Sequence, residues 1–274
     1  MDENILNSAL KEDLSDQGDI TGEAIFTDEE DKFVLVSKEA GILCGIDEFC
    51  SVFKKIDPGI GLKVNFRDGQ QIKCGDEIVI ICGRVSSILK AERSALNILS
   101  HLSGIATRTA KFVQAAEGKT IILDTRKTLP GLRDLQKYAV RCGGGQNHRM
   151  GLYDMVMIKD NHIDAAGGIA LAVQKIRKKW NNKYKIEVEA RNLSEVLEAL
   201  SSGVDRIMLD NMSLAAMQKA VATIAGRCET EASGNMTLQR IPKVAATGVD
   251  FISVGELTHS VKALDFSLKK IKLS

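Results

Sequence analysis

The stretch KIEVEARNLSEVLEALSSGVDRIMLDN, residues 185–211, decides the fold. KIEVEA (185–190) and DRIMLDN (205–211) read as strands, and LSEVLEALSSG (193–203) between them is helix-length and closes on a glycine suited to a helix C-cap. The same alternation extends outward in both directions. TIILDTRK (120–127) and DMVMIKD (154–160) read as strands upstream, and RCETEAS (227–233) and DFISVGE (250–256) read as strands downstream. LQRIPKVAATG (238–248) is a further helix closing on glycine. Strands alternating with helices imply a parallel sheet with helical crossovers. That sheet could close as a barrel or stay open, and starts spaced by roughly 20–23 residues in the later repeats favour the barrel.

The first hundred residues read differently. DKFVLVSKEAGIL (32–44), LKVNF (62–66) and EIVIIC (77–82) are short β-rich runs, with a helix expected around Asp47–Ile56, which together suggest a small α+β domain. From Ile88 to about Ala116, apolar residues recur at spacings of three and four, predicting a long amphipathic helix that Gly104 could interrupt. Glu92 falls within its apolar arc and Arg93 at the edge, where a surface helix seldom places charge. The expected division is an N-terminal α+β domain with its linking helix over 1–107 and an α/β barrel over 108–274.

Composition narrows the function classes. With 44% hydrophobic and 27% charged residues the chain is an ordinary globular one. A formal net charge of +1 lacks the basic excess of a generic nucleic-acid binder. The six cysteines, Cys44, Cys50, Cys74, Cys82, Cys142 and Cys228, form no C-x-x-C pair, which argues for reduced thiols over structural zinc. No run approaches the ~20 apolar residues that span a bilayer. The opening MDENILNSALKEDL has neither a basic start nor an apolar core, so the expected location is cytoplasmic.

Ligands of parallel α/β folds gather at the carboxyl ends of the strands. Here those ends carry Arg126-Lys127, Lys159-Asp160, Glu189, Asp210, Ser233-Gly234-Asn235 and Gly255. One charge at a strand end is usually a solvated loop residue, whereas six polar or glycine ends on one rim indicate a site. Arg126, Lys127 and Lys159, with His148 and Arg149 from GGGQNHR (143–149), suit a ligand carrying carboxylates or phosphates. Glu189 and Asp210 would repel such a ligand unless they accept sugar hydroxyls or hold a hard cation such as Mg²⁺. The combination points to a sugar phosphate, with the 233–235 and Gly255 turns offering N–H groups to a terminal phosphate. GGG at 143–145 lacks the spacing and the distal acid of a dinucleotide fingerprint. His148 alone would read as structural, but beside Arg149 in a glycine-rich loop it reads as a ligand residue. His162 and His259 read as local hydrogen-bonding groups.

The blocks GDIT (18–21), AERSALNILSHLSGIAT (91–107), DTRKTLPGLRDLQKYAVRCGGGQNHRMGLYDMVMIKDNH (124–162), IEVEA (186–190), IMLDNMS (207–213), EASGN (231–235) and ISVGELTHS (252–260) closely resemble the quinolinate phosphoribosyltransferases. They run in the family's order over nearly the whole chain. The resemblance implies an N-terminal α/β domain, an open α/β barrel of about seven strands, and assembly at least as a homodimer. It implies an enzyme joining quinolinate to phosphoribosyl pyrophosphate with Mg²⁺, for de novo NAD biosynthesis, with no nucleic-acid or membrane partner. Residue by residue it assigns quinolinate to Thr125, Arg126, Lys127, His148, Arg149 and Lys159, with Arg93 reaching in from a partner subunit. It assigns the phosphoribosyl donor to Lys127, Lys159, Glu189 and Asp210, and its 5′-phosphate to Ser233, Gly234, Asn235, Val254, Gly255 and Glu256. Mg²⁺ falls to Glu189 and Asp210, directly or through water, and the catalytic set is Lys127, Lys159, Glu189 and Asp210. Gln146 stands where many members have histidine, and Glu256 where a small residue is common. A related family of uncertain function, found with molybdenum transport genes, usually loses the KDNH block, which is intact here at 159–162.

Overall fold

The computed structural model describes residues 3–272; Met1, Asp2, Leu273 and Ser274, at the outer ends of the two expected domains, lie outside the described residues. In chain order the first elements are α1 (Glu3–Leu14), α2 (Ile20–Ile25), β1 (Glu30–Ser37), β2 (Gly41–Ile42), α3 (Ile46–Ile56), β3 (Gly61–Val64), β4 (Gln71–Ile72), β5 (Glu77–Arg84) and α4 (Val85–Ala115). There follow β6 (Ile121–Leu123), α5 (Arg133–Cys142), β7 (Val156–Ile158), α6 (Asp160–Ala166), α7 (Ile169–Trp180), β8 (Ile186–Ala190) and α8 (Leu193–Ser201). The chain ends with β9 (Arg206–Asp210), α9 (Leu214–Ile224), β10 (Glu229–Ser233), α10 (Ile241–Ala245), β11 (Phe251–Ser253), α11 (Glu256–His259) and β12 (Phe266–Lys270). It forms two compact units, one of Met1–Ala110, Leu129–Gly144 and Ser260–Ser274, the other of Lys111–Thr128 and Gly145–His259.

The first unit is built on a sheet in the order β12-β1-β5-β3, antiparallel throughout. Phe33 and Leu35 of β1 face Ile81 and Val79 of β5 and bury their side chains in one core with Phe49 and Phe53 of α3 and Leu99 of α4. Removing such side chains from water stabilises by about 1.5–3 kcal/mol each. α3 carries its apolar residues on one side and Lys54 and Lys55 in its last turn, where the helix dipole favours cations. It has no cap side chain of its own; Asp68, from the loop before β4, accepts the Gly45 and Ile46 N–H groups instead. α4 is continuous, so Gly104 does not interrupt it. A side chain there would run into the Lys262 carbonyl, and the glycine is needed for that close approach of backbone.

The second unit holds a six-stranded sheet in the order β6-β11-β10-β9-β8-β7, every neighbouring pair parallel. The first strand thus lies beside the last. On the opposite edge of β6, Gln146 bridges Leu123 in parallel, its N–H donating to Ile122 O and its carbonyl accepting the Asp124 N–H. The helices after β8 and β9 begin on side-chain caps, Asn192 accepting the Glu195 N–H and Ser213 the Ala216 N–H. Side chains alternate along a strand, so each strand sorts its residues between two faces. Ile186, Val188, Ala190, Ile207 and Leu209 are buried on one. The other face carries charge. Among the described residues no helix is long and apolar enough to cross a membrane.

In the first unit Asp57, at the end of α3, accepts from Arg84 Nε and Nη2 at 3.0 and 2.8 Å, Ser87 Oγ at 3.0 Å and Gly59 N at 2.9 Å. The Arg84 hydrogen bonds, then those from Gly59 and Ser87, hold its carboxyl below the usual range. Asp57→Asn should cost about 1–3 kcal/mol at neutral pH. A depressed carboxylate stabilises above its unfolded pKa of about 4 and loses that effect as pH falls through the folded value. Thermal melts should therefore show the wild-type advantage shrinking below about pH 4, and an advantage constant from pH 7 to 3 would contradict this.

Candidate active site

The charged face of the parallel sheet is ordered in rows by strand register. Glu187, Arg206 and Glu229 lie side by side on β8, β9 and β10, followed toward the carboxyl ends by Glu189, Met208 and Glu231, and then by Asp210 and Ser233. Those carboxyl ends open into a cavity of about 780 Å³. Among the residues expected from the sequence, Thr125, Arg126, Lys127, His148, Arg149, Lys159, Glu189, Asp210, Ser233, Gly234, Asn235, Gly255 and Glu256 all line it. Val254 does not; it is buried, and its N–H donates to Leu123 O in the β11–β6 pairing. Arg93 is an exposed residue of α4 in the first unit. His259 also lines the cavity, while His162 accepts the Lys159 N–H through Nδ1 at 3.1 Å, the local role expected of it.

One part of the wall is cationic. Arg149 Nη1 donates to Met155 O at 3.0 Å, and Asp154 ties the same loop by accepting the Met150 and Gly151 N–H groups. Burial lowers the affinity of the Arg149 guanidinium for its proton, repulsion from Arg126 lowers it further, and Glu187 and Asp154 oppose both. Two guanidiniums held in mutual repulsion form a ready site for an anion. Lys127 joins them, its backbone fixed by bonds to Thr125 Oγ1 (3.0 Å) and from Thr258 Oγ1 (2.8 Å). The acids stand on adjoining strands. Glu189 Oε2 meets Lys159 Nζ at 2.9 Å, and Asp210 Oδ2 accepts from Asn211 Nδ2 at 2.8 Å.

Beneath the cations lies a buried cluster. Asp124, fully buried, accepts the His148 N–H (2.9 Å) and Asn147 Nδ2 (2.6 Å), which fixes the 146–149 segment against the end of β6. His148 Nε2 lies 3.0 Å from Glu187 Oε2 and 3.4 Å from Glu231 Oε2, and its Nδ1 accepts the Arg149 N–H at 2.7 Å. Nδ1 is thus engaged by the Arg149 N–H, and Nε2 faces the two carboxylates. Burial favours the neutral ring, while the two carboxylates pull the imidazole upward. Burial and Glu231 also push Glu187 up, to about 7. The Arg149 N–H aimed at Nδ1 disfavours a proton on that nitrogen and so favours a neutral ring protonated at Nε2. Arg206 completes the cluster, bonded to Glu231 (3.0 Å) and Glu229 (2.9 Å) and stacked over the Phe251 ring at 4.0 Å.

Glu187, Glu231, Asp124 and Arg206 were not singled out from the sequence. For the two glutamates the signal was present, since period-two alternation puts Glu187 on the face of Glu189, and Glu231 on the face of Ser233. Arg240 was missed as well; it ties two rim loops by donating to Gly234 O and Met212 O, both at 2.9 Å.

The chain matches the family model of the quinolinate phosphoribosyl transferase C-terminal domain over residues 105–269, and that of the N-terminal domain over residues 19–103. The chain belongs to the quinolinate phosphoribosyltransferase family. It is 45% identical to quinolinate phosphoribosyltransferase [decarboxylating] 1b of Nicotiana tabacum, covering 97% of this chain and 81% of that one. With the probable nicotinate-nucleotide pyrophosphorylase [carboxylating] of Bacillus subtilis it shares 41% identity over 96% of this chain and 91% of the relative. The crystal structure of NadC from Streptococcus pyogenes superposes with a TM-score of 0.94 at 42% identity, covering 98% and 97% of the two chains. Membership extends through both family domains, as the matching blocks implied.

In this family member the rim loops after β9 and β10 approach closely. Gly234 has φ +93°, and a Cβ there would collide with Asn211 Oδ1, whose side chain also holds Asp210. Gly203 has a similar φ of +68° with nothing within 4 Å of the added carbon. Alanine in the left-handed region costs about 1–2 kcal/mol at either position. Urea unfolding should show a larger loss for Gly234→Ala than for Gly203→Ala, and equal losses would show that the rim contact imposes nothing.

Proposed function

We propose that this cavity joins quinolinate to phosphoribosyl pyrophosphate, releasing carbon dioxide and pyrophosphate and giving nicotinate mononucleotide for NAD biosynthesis. The observation that carries the assignment is the pairing of a repelling guanidinium pair, Arg126 and Arg149, with two acids, Glu189 and Asp210, in one cavity. A pyridine dicarboxylate satisfies the first and a ribose with its hydroxyls the second. Arg126, Arg149, Lys159 and Thr125 would receive the carboxylates, with His148 beside them. Lys127 would reach both substrates. Ser233, Gly234, Asn235, Gly255 and Glu256 would surround the 5′-phosphate.

The reaction forms a bond from the pyridine nitrogen to the anomeric carbon and breaks that carbon's bond to pyrophosphate, through an oxocarbenium-like transition state. The residues hold the nitrogen in line with the anomeric carbon and place Lys127 and Lys159 against developing negative charge. Once the ring nitrogen is quaternary it stabilises the electron pair left at C2 as the adjacent carboxylate leaves as carbon dioxide, and C2 then takes a proton from solvent. Glu189 and Asp210 are hard oxygen donors on neighbouring strands, a set that fits Mg²⁺ shared with substrate phosphates and water. Bound there, Mg²⁺ supplies charge neutralisation for the leaving pyrophosphate. The strand order, in which the first strand pairs with the last, and the Gln146 bridge support an open barrel of seven strands, and cytoplasmic residence is the corresponding expectation.

The half-sites are separable by mutation. Glu189→Ala and Asp210→Ala should each raise the KM for phosphoribosyl pyrophosphate about tenfold or more and move that for quinolinate less, since an acid has no favourable role beside a dianion. Loss of quinolinate affinity with donor binding intact would reverse the assignment. We further propose a homodimer whose sites are completed by Arg93 of the opposite subunit, a role the family resemblance implies for this exposed residue of α4. Mixing Arg93→Ala with Lys159→Ala subunits should then restore up to about a quarter of wild-type activity through hybrid dimers. Demonstrated subunit exchange without recovery would exclude the shared site.

A further inference from the structure

We propose that Glu187 and Glu231 are positioning residues for the dicarboxylate half of the site, acting through His148 on Arg149. The inference rests on the function proposed above and extends it to two residues with no role in that scheme. Both carboxylates are fully buried, and burying two like charges side by side is costly unless something between them repays it. What lies between them is the Nε2 edge of His148, 3.0 and 3.4 Å from the nearer oxygens. A neutral imidazole has one donor and one acceptor nitrogen. Because Nδ1 accepts the Arg149 N–H, Nε2 is the nitrogen left to carry the ring proton, and it faces the two glutamates.

This assignment also argues against a metal at the cluster, although His148, Glu187 and Glu231 present three ligand atoms within 4.8 Å of one another. A metal on Nε2 would require a proton on Nδ1, where the Arg149 N–H already points. The chain of contacts therefore runs one way: carboxylates to Nε2, Nδ1 to the Arg149 backbone, and the Arg149 guanidinium to the cavity. Arg206, whose row lies two residues nearer the strands' amino ends than that of Glu231, bonds to that carboxylate and lies over the Phe251 ring. A peptide step fixed at His148–Arg149 holds one guanidinium against the other without help from substrate, so the cost of bringing them together is met on folding.

The test combines kinetics with a spectroscopic readout that needs no substrate. Glu187→Ala should raise the quinolinate KM about tenfold while the donor KM changes less than about twofold, and Glu187→Gln, which keeps an acceptor oxygen, should recover most of the loss. In a His148→Ala background Glu187→Ala should add nothing, since a residue acting through His148 has no effect without it. Should Glu187→Ala fail to fold, His148→Ala alone must show the same split between substrates. Equal rises in both KM values, or additive losses in the double variant, overturn the proposal. Nitrogen-15 NMR of the His148 ring, assigned with His148→Asn, should show a protonated Nε2 and an unprotonated Nδ1 at neutral pH. A protonated Nδ1 overturns the proposal whatever the substrate is. Absence of wild-type turnover with quinolinate would refute the function while leaving this ring assignment to be decided by the spectrum.

Discussion

Two guanidiniums held against their own repulsion set the terms for the second unit. Arg126 and Arg149 come from separate segments, one following β6 and the other on the loop before β7, and nothing in their local sequence brings them together. What does is the bridging of Gln146 to β6 and the hold of Asp124 on His148 and Asn147. Beneath them, buried carboxylates balance the positive charge. The cations are held in place by the fold itself, and preorganised polar groups act more strongly than the same groups would in water.

The parallel sheet makes this possible by simple alternation. One face of β8 and β9 is aliphatic and buried, and the other presents Glu187, Glu189, Arg206 and Asp210 at successive depths. Charges deepest in the unit are paired with one another, as Arg206 is with Glu229 and Glu231. Those at the carboxyl ends face the cavity. The same strand therefore contributes to cohesion and to chemistry at positions two residues apart, which is why a substitution at either should be felt by the other.

The strand ends were legible in the sequence because each is a local event. A β-rich run followed by a helix signal locates Lys159, Glu189, Asp210 and Ser233 without knowledge of what lies opposite, and the family blocks then add roles. Features that depend on distant partners were not legible. β12 joins β1 through a register of Phe33 with Lys270, which no local pattern announces. Gly104 looked like a helix interruption because its actual constraint, the Lys262 carbonyl, is far along the chain. Asp124 and Arg240 act by gathering remote backbone groups. Glu187 and Glu231 are the intermediate case, visible by alternation but intelligible only once His148 is seen between them.

The central claim is that a paired-cation pocket for two carboxylates adjoins an acid-lined pocket for a phosphorylated ribose. It is tested most directly by supplying quinolinate labelled in its 2-carboxylate together with phosphoribosyl pyrophosphate and Mg²⁺, and counting both products. The account predicts one labelled carbon dioxide for each pyrophosphate released, and little pyrophosphate when nicotinate replaces quinolinate. Pyrophosphate without carbon dioxide, or equal turnover of the monocarboxylate, would contradict it.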